Sequence, residues 1–131
     1  MDMLEARVNN PSTDPARAKR MQKTLDKNPR QIMKAYEMGV PIATGTDAGV
    51  APHGKNYREI ERFVKIGISS ADALKMTTVN TADLLDKSDT LGTIEKGKFA
   101  DIIAVTGNPL ENIKDIENIT FVMKEGRVYK D

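Results

Sequence analysis

Several residue types that commonly build functional sites are scarce or absent in this sequence. Its 131 residues include no cysteine, which excludes disulfides, thiolate metal ligands and cysteine nucleophiles. Tryptophan is also absent and aromatic residues make up 5%, so the core must come from aliphatic side chains and methionines. The single histidine, His53, leaves no second imidazole to act as a catalytic base.

Long apolar runs and an excess of one charge are missing as well. No stretch approaches the roughly 20 apolar residues needed to cross a bilayer, and the N-terminus lacks the pattern of a signal peptide. Twenty basic and nineteen acidic residues give a net charge of +1, which argues against an electrostatic nucleic-acid binder. We therefore expect a soluble cytoplasmic protein that partners neither membranes nor nucleic acids.

The first part of the chain has the pattern of a long helix. Asp14 and Pro15 are the residue types of an N-cap and of a first helical position, and Gly39 suits the helix end. Pro29 removes a helical hydrogen bond and clashes with the preceding turn. It therefore predicts either a kink or a new helix that is capped by Asn28.

Shorter elements are predicted further along the chain. Asn56 and Glu59 have the spacing of a capping box, which would open a helix that stops at Gly67. Two more helices are predicted to open near Ser69 and Asn80. The periodicity then changes, and four strands are predicted, of which the last two pair as a hairpin: 91–94, 100–105, 119–123 and 127–129.

Residues 40–47 differ from their surroundings because they form a short, uncharged run that ends in Asp47. Pro41 is tolerated at a strand start, and such a run fits a strand buried on both faces of a parallel sheet. Catalytic groups collect at the carboxyl ends of such strands, which is where Asp47 lies. Position alone leaves a second reading open, in which Asp47 only caps a turn or bonds its own backbone.

The other candidate residues give weaker signals. His53 follows on a loop, where it is either solvated or in contact with substrate. Asp47 and His53 are too few for a zinc site, which takes three or four protein ligands. The segment 45–49 lacks the residues of a phosphate loop, and no serine stands in a nucleophile elbow. Asp101 is expected to be a structural turn or strand-edge group rather than a catalyst.

Four segments, in unbroken order, resemble the C-terminal third of metal-dependent amidohydrolases, in particular the prolidase-like and imidazolonepropionase-like branch. The likeness runs from about residue 14 to the end. The aspartate-ended run and the later GTIEKGKFADIIAV, in that order, make it specific. The four segments are GVPIATGTDAG, PHGKNYREIE, GISSADALKMTTVNTADLL and LGTIEKGKFADIIAVTGNPLENI.

The resemblance implies an α/β fold: the terminal strand and helices of a (β/α)8 TIM-type barrel, followed by the C-terminal part of a small β-sandwich domain. Residues 1–86 would belong to the barrel and residues 87–131 to the sandwich. A complete barrel takes about 250 residues. The resemblance therefore implies either a fragment of a longer enzyme, which we call the parent, or a natural remnant that needs a partner.

The resemblance also implies a chemistry: hydrolysis of amide, peptide or cyclic amide C–N bonds by a metal-activated water, with a small amide or dipeptide as substrate. Asp47 would match the family's strand-end aspartate, which binds the metal or its water and passes a proton to the leaving amine. His53 would contact the substrate. Zinc or another divalent metal would serve the parent, whereas this chain alone is expected to be inactive because it lacks the histidine ligands.

Two rival hypotheses stay open. A barrel fragment exposes apolar faces, which drive association. The chain would then be a non-catalytic self-associating or partner-complementing module, or a homo-oligomer through exposed barrel surfaces. The third reading is an unrelated small α/β binding protein. The candidate association surface is Met21, Leu25, Ile60, Phe63 and Leu74.

Overall fold

A computed structural model describes residues 2–47 and 53–131 of the chain. The chain divides into two compact units, the first ending at Val40 and the second beginning at Pro41. Among the described residues, no helix is long and apolar enough to cross a membrane. The division predicted between residues 86 and 87 concerns the parent and stays a prediction.

The first unit contains α1 (Asp2–Val8) and α2 (Pro15–Glu37). α2 begins as predicted, because the Asp14 carboxylate accepts a hydrogen bond of 2.9 Å from the Arg17 N–H. The helix then continues through Pro29 without a break, so a new helix capped at Asn28 is wrong. One missing hydrogen bond within 23 residues does not outweigh the helical bonds on either side of it.

The end of α2 is also as predicted. Gly39 has a φ of +73°, a conformation that glycine adopts without steric cost. Its N–H donates to the Tyr36 carbonyl at 3.0 Å, and the Val40 N–H donates to the Ala35 carbonyl at 3.0 Å. These two bonds form a Schellman motif, which satisfies the last carbonyls of the helix.

The second unit is a group of short helices followed by a small sheet. The three strands are antiparallel, in the order β1-β2-β3. A 3-10 helix lies between the first two strands. The elements are α3 (Arg58–Lys65), α4 (Ser70–Thr77), α5 (Val79–Leu84), β1 (Ile102–Val105), the 3-10 helix (Ile113–Glu117), β2 (Ile119–Lys124) and β3 (Arg127–Lys130).

Whether a predicted strand forms in the structure depends on whether a neighbouring strand is available to pair with it. The hairpin is confirmed: Glu125 and Gly126 both have positive φ, +50° and +78°, as a type I′ turn requires. Residues 40–47 form no strand in the structure, and neither do residues 91–94. A strand needs a neighbour to complete its ladder, and the three-stranded sheet uses none of these residues.

The core of the second unit lies beneath α3 and α4. Ile60 and Phe63 are 4% and 5% exposed, because α3 packs against α4 and the 3-10 helix. Their predicted role in an exposed association surface is therefore wrong. The other three members of that predicted surface are half-buried: Met21, Leu25 and Leu74.

Candidate functional site

Asp47 is exposed and has a φ of +49°. Aspartate enters this left-handed region more readily than most residues, because its short polar side chain can bond locally. The conformation is not by itself a sign of function, since Asp86 is also exposed and has a φ of +53°. Asp86 is for the same reason a well-matched control for substitutions at Asp47.

The two residues before Asp47 are held by side chains from the turn that precedes α3 and from the first turn of α3. The Gly45 N–H donates to Glu59 Oε1 at 3.3 Å, and Asn56 Nδ2 donates to the Thr46 hydroxyl. The predicted capping box is therefore wrong: α3 has no side-chain cap bond at its N-cap residue, Tyr57. Asn56 and Glu59 reach across to a distant segment instead of bonding each other's backbone.

Residues 42–44 are held from the other side by α4 and α5. Asn80 Nδ2 donates to the Ile42 carbonyl at 2.8 Å. The Met76 carbonyl at the end of α4 accepts two bonds, from the Thr44 N–H at 3.3 Å and from the Thr81 hydroxyl at 2.7 Å. The segment that leads to Asp47 is thus fixed by helices rather than by a sheet.

His53 lies in an exposed turn. The loop that was predicted after Asp47 falls partly outside the described residues. Within residues 2–47 and 53–131, no group of three or more His, Asp or Glu side chains could hold a metal ion. The metal role of Asp47 and the substrate role of His53 stay predictions.

A cavity of about 540 Å³ opens beside this segment. Thr44, Gly45 and Thr46 line one part of it, and neither Asp47 nor His53 is among its lining residues. Glu59 also lines the cavity, and its Oε2 atom is buried without a hydrogen-bond partner among the described residues. The remaining walls are mostly apolar: Ile60, Leu74, Ile103, Val105, Pro109, Ile116 and Ile119.

Two further acidic groups lie away from this segment. Partial burial raises the pKa of Glu61, and the nearby Glu117 carboxyl adds to that rise. Asp101 accepts the Glu125 N–H at 2.7 Å and Lys124 Nζ at 3.2 Å. The backbone bond from Glu125, reinforced by Lys124, lowers the pKa of Asp101. Asp101 therefore clamps the β2–β3 turn, which agrees with the structural role predicted for it.

Asn56 and Glu59 are the site residues that sequence reasoning missed. Their spacing matched a local motif, so the pattern gave no sign of a longer contact. Asp47, in contrast, was singled out by its place at the end of an uncharged run. An acidic side chain at the end of such a run, with helices around it, is the arrangement in which enzymes of the α/β barrel class place catalytic groups.

A family model agrees with this class and is more specific. The amidohydrolase family model matches residues 2–129, and the chain therefore belongs to the amidohydrolase family. This confirms the resemblance on which the sequence analysis relied.

Relatives of several activities match the chain. It is 34% identical over 103 residues to the imidazolonepropionase of Thermoanaerobacter pseudethanolicus, a match that covers 76% of this chain and 22% of the relative. It is 32% identical over 116 residues to the ochratoxinase of Aspergillus niger, covering 85% and 24% respectively. Each of these two curated relatives is thus about four times as long as the region that the chain matches.

Solved structures share the fold as well. A crystal structure of a Xaa-Pro dipeptidase with methionine bound in its active site matches with a TM-score of 0.89 and 38% identity, covering 99% of this chain and 32% of the dipeptidase. The crystal structure of the A. niger ochratoxinase matches with a TM-score of 0.82 and 29% identity, covering 98% and 31%. The chain spans about a third of the length of both structures.

Proposed function

We propose that this chain is the C-terminal part of a metal-dependent amidohydrolase that cleaves amide, peptide or cyclic amide C–N bonds. The observation that carries the proposal is Asp47, an exposed carboxylate at the end of a segment held on both sides by helices. The family match over residues 2–129 supports the same reading. The relatives named imidazolonepropionase and Xaa-Pro dipeptidase suggest a small amide or a dipeptide as substrate.

In this proposal Asp47 moves a proton. Its carboxylate accepts the proton of the attacking water and gives it to the leaving amine, the work of a general base and then a general acid. The exposed position of Asp47 leaves it accessible to both groups. His53 contacts the substrate from the loop that follows. We propose the cytoplasm as the place where the enzyme acts.

We propose that Asp47 supplies one ligand to the metal, alongside the finding that no group of three or more His, Asp or Glu side chains among the described residues could hold an ion. Family members are generally metal-dependent, and we propose zinc or another divalent ion for the parent. Such an ion lowers the pKa of a bound water toward ~7 when it is present. The remaining ligands come from other parts of the parent, and the 131-residue chain alone is inactive.

A chimera tests this function. The chain replaces the matching third of the Xaa-Pro dipeptidase, to which it is 38% identical, and dipeptide hydrolysis is measured with and without zinc. We expect zinc-dependent hydrolysis by the chimera and none by the isolated chain. Hydrolysis by the isolated chain together with tight stoichiometric zinc binding would show that the proposed inactivity is wrong. A folded chimera that binds zinc but hydrolyses no substrate would contradict the proposed function.

Self-association is a second candidate function, and apolar side chains on the surface favour it. Leu84 is 71% exposed, Leu85 60% and Ile94 80%, and apolar groups that cluster on a surface promote association. The module would then form homo-oligomers or complete a partner. Sedimentation of the chain and of a Leu84→Ser, Leu85→Ser variant tests this, since a compact wild-type monomer at high concentration would contradict it.

A further inference from the structure

The residues just before Asp47 obtain their hydrogen bonds from side chains. The backbone groups of a strand find their partners in a neighbouring strand. Residues 40–47 form no strand, and the Gly45 N–H is bonded to the Glu59 carboxylate. The hydroxyl of the next residue, Thr46, accepts a bond from the Asn56 amide. Two consecutive residues are therefore tied to the same helical turn.

That turn is itself fixed by a backbone hydrogen bond and by the burial of the residues that follow it. The Glu59 N–H donates to the Asn56 carbonyl at 3.1 Å, so the two side chains rise from one closed turn. The next residue, Ile60, is 4% exposed, and Phe63 one turn later is 5% exposed. The start of α3 is thus anchored in the core of the second unit. Gly45 and Thr46, which are bonded to this turn, are therefore fixed relative to that core.

Asp47 follows directly after the two tied residues and has a φ of +49°. Aspartate enters this region more readily than most residues, but the conformation still costs more than a negative φ, and fixed neighbouring residues help to maintain it. The bonds at Gly45 and Thr46 lie two residues and one residue before Asp47, and they limit the positions that its backbone can take. Loss of these bonds would leave Asp47 free to relax to a negative φ.

We propose that Asn56 and Glu59 are positioning residues for Asp47, acting through the hydrogen bonds to Thr46 and Gly45. The catalytic importance of this positioning rests on the function proposed for Asp47, whereas its effect on the Asp47 backbone does not. Asn56 and Glu59 touch neither substrate nor metal in this scheme. They set the conformation of the residue that does.

The first test is NMR spectroscopy of the complete 131-residue chain. Glu59→Ala removes the acceptor, and we expect the Gly45 amide to exchange about fivefold faster or more. We also expect Asp47 to lose the strong intraresidue contact between its amide proton and Hα that a positive φ produces. Glu59→Gln retains a carbonyl oxygen that can accept the Gly45 bond, so it should restore both signals.

Two more variants complete the set. Asn56→Ala should weaken the positive-φ signal of Asp47 while the Glu59 bond to Gly45 stays. Glu111→Ala changes an exposed glutamate of the same unit and should leave Gly45 and Asp47 unchanged. If Glu59→Ala unfolds the chain, Asn56→Ala and Glu59→Gln still test the positioning proposal. Unchanged Asp47 signals in Asn56→Ala, or a lost signal in Glu59→Gln, would overturn the proposal.

Kinetic measurements on variants of the chimera distinguish a failure of this proposal from a failure of the proposed function. If both are right, Glu59→Ala lowers kcat with little change in KM, and Glu59→Gln restores it. If Asp47→Asn leaves hydrolysis intact while Glu59→Ala still alters the Asp47 NMR signals, the function fails and the positioning effect stands. If Asp47→Asn abolishes hydrolysis while Glu59→Ala leaves those signals unchanged, the function stands and the positioning proposal is overturned.

Discussion

The β2–β3 hairpin and the segment before Asp47 satisfy their backbone polar groups in different ways. The hairpin does so mainly between neighbouring residues, with Lys124 paired to Arg127 across a two-residue turn, and Asp101 accepts one further backbone bond at that turn. The segment 42–46 depends on side chains of α3 and α5, among them Glu59 and Asn80, and on the backbone of α4. The strand pairing of the hairpin therefore depends on residues that are close in sequence, whereas the geometry near Asp47 depends on residues that are far away in the sequence.

The largest expected effect separates catalysis from stability. In the chimera, Asp47→Asn should lower kcat by about 10² or more, as expected when a general base is lost, because the amide cannot take up the proton. Asp86→Asn is the matched control, since Asp86 has nearly the same φ and is also exposed. It should leave kcat unchanged. Equal losses in the two variants would mean that the effect comes from the backbone and not from proton transfer.

The next largest effect is expected from a core substitution in α3, which weakens the support of the segment before Asp47 while the hairpin keeps its own bonds. Phe63 is 5% exposed, and Phe63→Ala should lower the free energy of unfolding by about 3–5 kcal/mol. The control is Phe99→Ala, because Phe99 is 53% exposed and its loss should cost much less. Urea denaturation followed by circular dichroism measures both. Similar losses in the two variants would contradict the placement of the core beneath α3.

Two glycines sharpen the comparison because both have room for a side chain but only one has a positive φ. An added Cβ would meet nothing within 4 Å at Gly126 or at Gly45, yet Gly126 has a φ of +78° and Gly45 has no positive φ. Gly126→Ala should therefore destabilise the hairpin by about 1–2 kcal/mol from backbone strain. Gly45→Ala should have little effect on the melting temperature. The opposite order would mean that the turn is not type I′.

A smaller loss is expected at the bond between Asn80 and the Ile42 carbonyl, which measures 2.8 Å. Asn80→Ala should lower the free energy of unfolding by about 1 kcal/mol, the usual net value of one hydrogen bond. Asn118→Ala is the control, since Asn118 is exposed and its backbone atoms carry its bonds to Asp115 and Thr106. If Asn118→Ala lowered the free energy of unfolding as much as Asn80→Ala, the side-chain bond of Asn80 would not be the cause of the loss.

The same distinction between local and distant bonds explains what the sequence could predict. Asp14 caps α2 and Gly39 ends it, as their local patterns indicate. Asn56 and Glu59 also match a local pattern, but a distant segment competes for their side chains and wins. Ile60 and Phe63 show that a pattern identifies an apolar face without telling what covers it.

The candidate site also has features that the sequence could predict and features that it could not. The uncharged run that ends at Asp47 was visible in the sequence, and the family match gives that run its context. The supporting role of Glu59 was not visible, because it depends on how α3 packs against its neighbours. Metal ligands for Asp47 were not visible either, since a metal site gathers residues from separate parts of a fold.

The smallest effect concerns pH, and the two regions should respond in opposite directions. The pKa of Asp101 lies below its usual 3.8, so its bonds at the hairpin turn stabilise the fold above that pH and are lost as the pH falls through the lowered pKa. The pKa of Glu61 lies above its usual 4.5. The stability that Glu61 contributes is therefore fully present below 4.5 and is lost as the pH rises through the raised pKa.

Two amide variants resolve these slopes in urea denaturation between pH 2.5 and pH 7, a range of about four to five units around these values. Asp101→Asn should remove the fall in stability at the acidic end, because its amide does not titrate. Glu61→Gln should remove the decline above 4.5 and make the fold more stable than wild type near neutral pH. If Glu61→Gln instead destabilises the fold at neutral pH, the carboxylate of Glu61 makes a favourable contact there, and α3 is held to the 3-10 helix by attraction rather than against repulsion from Glu117.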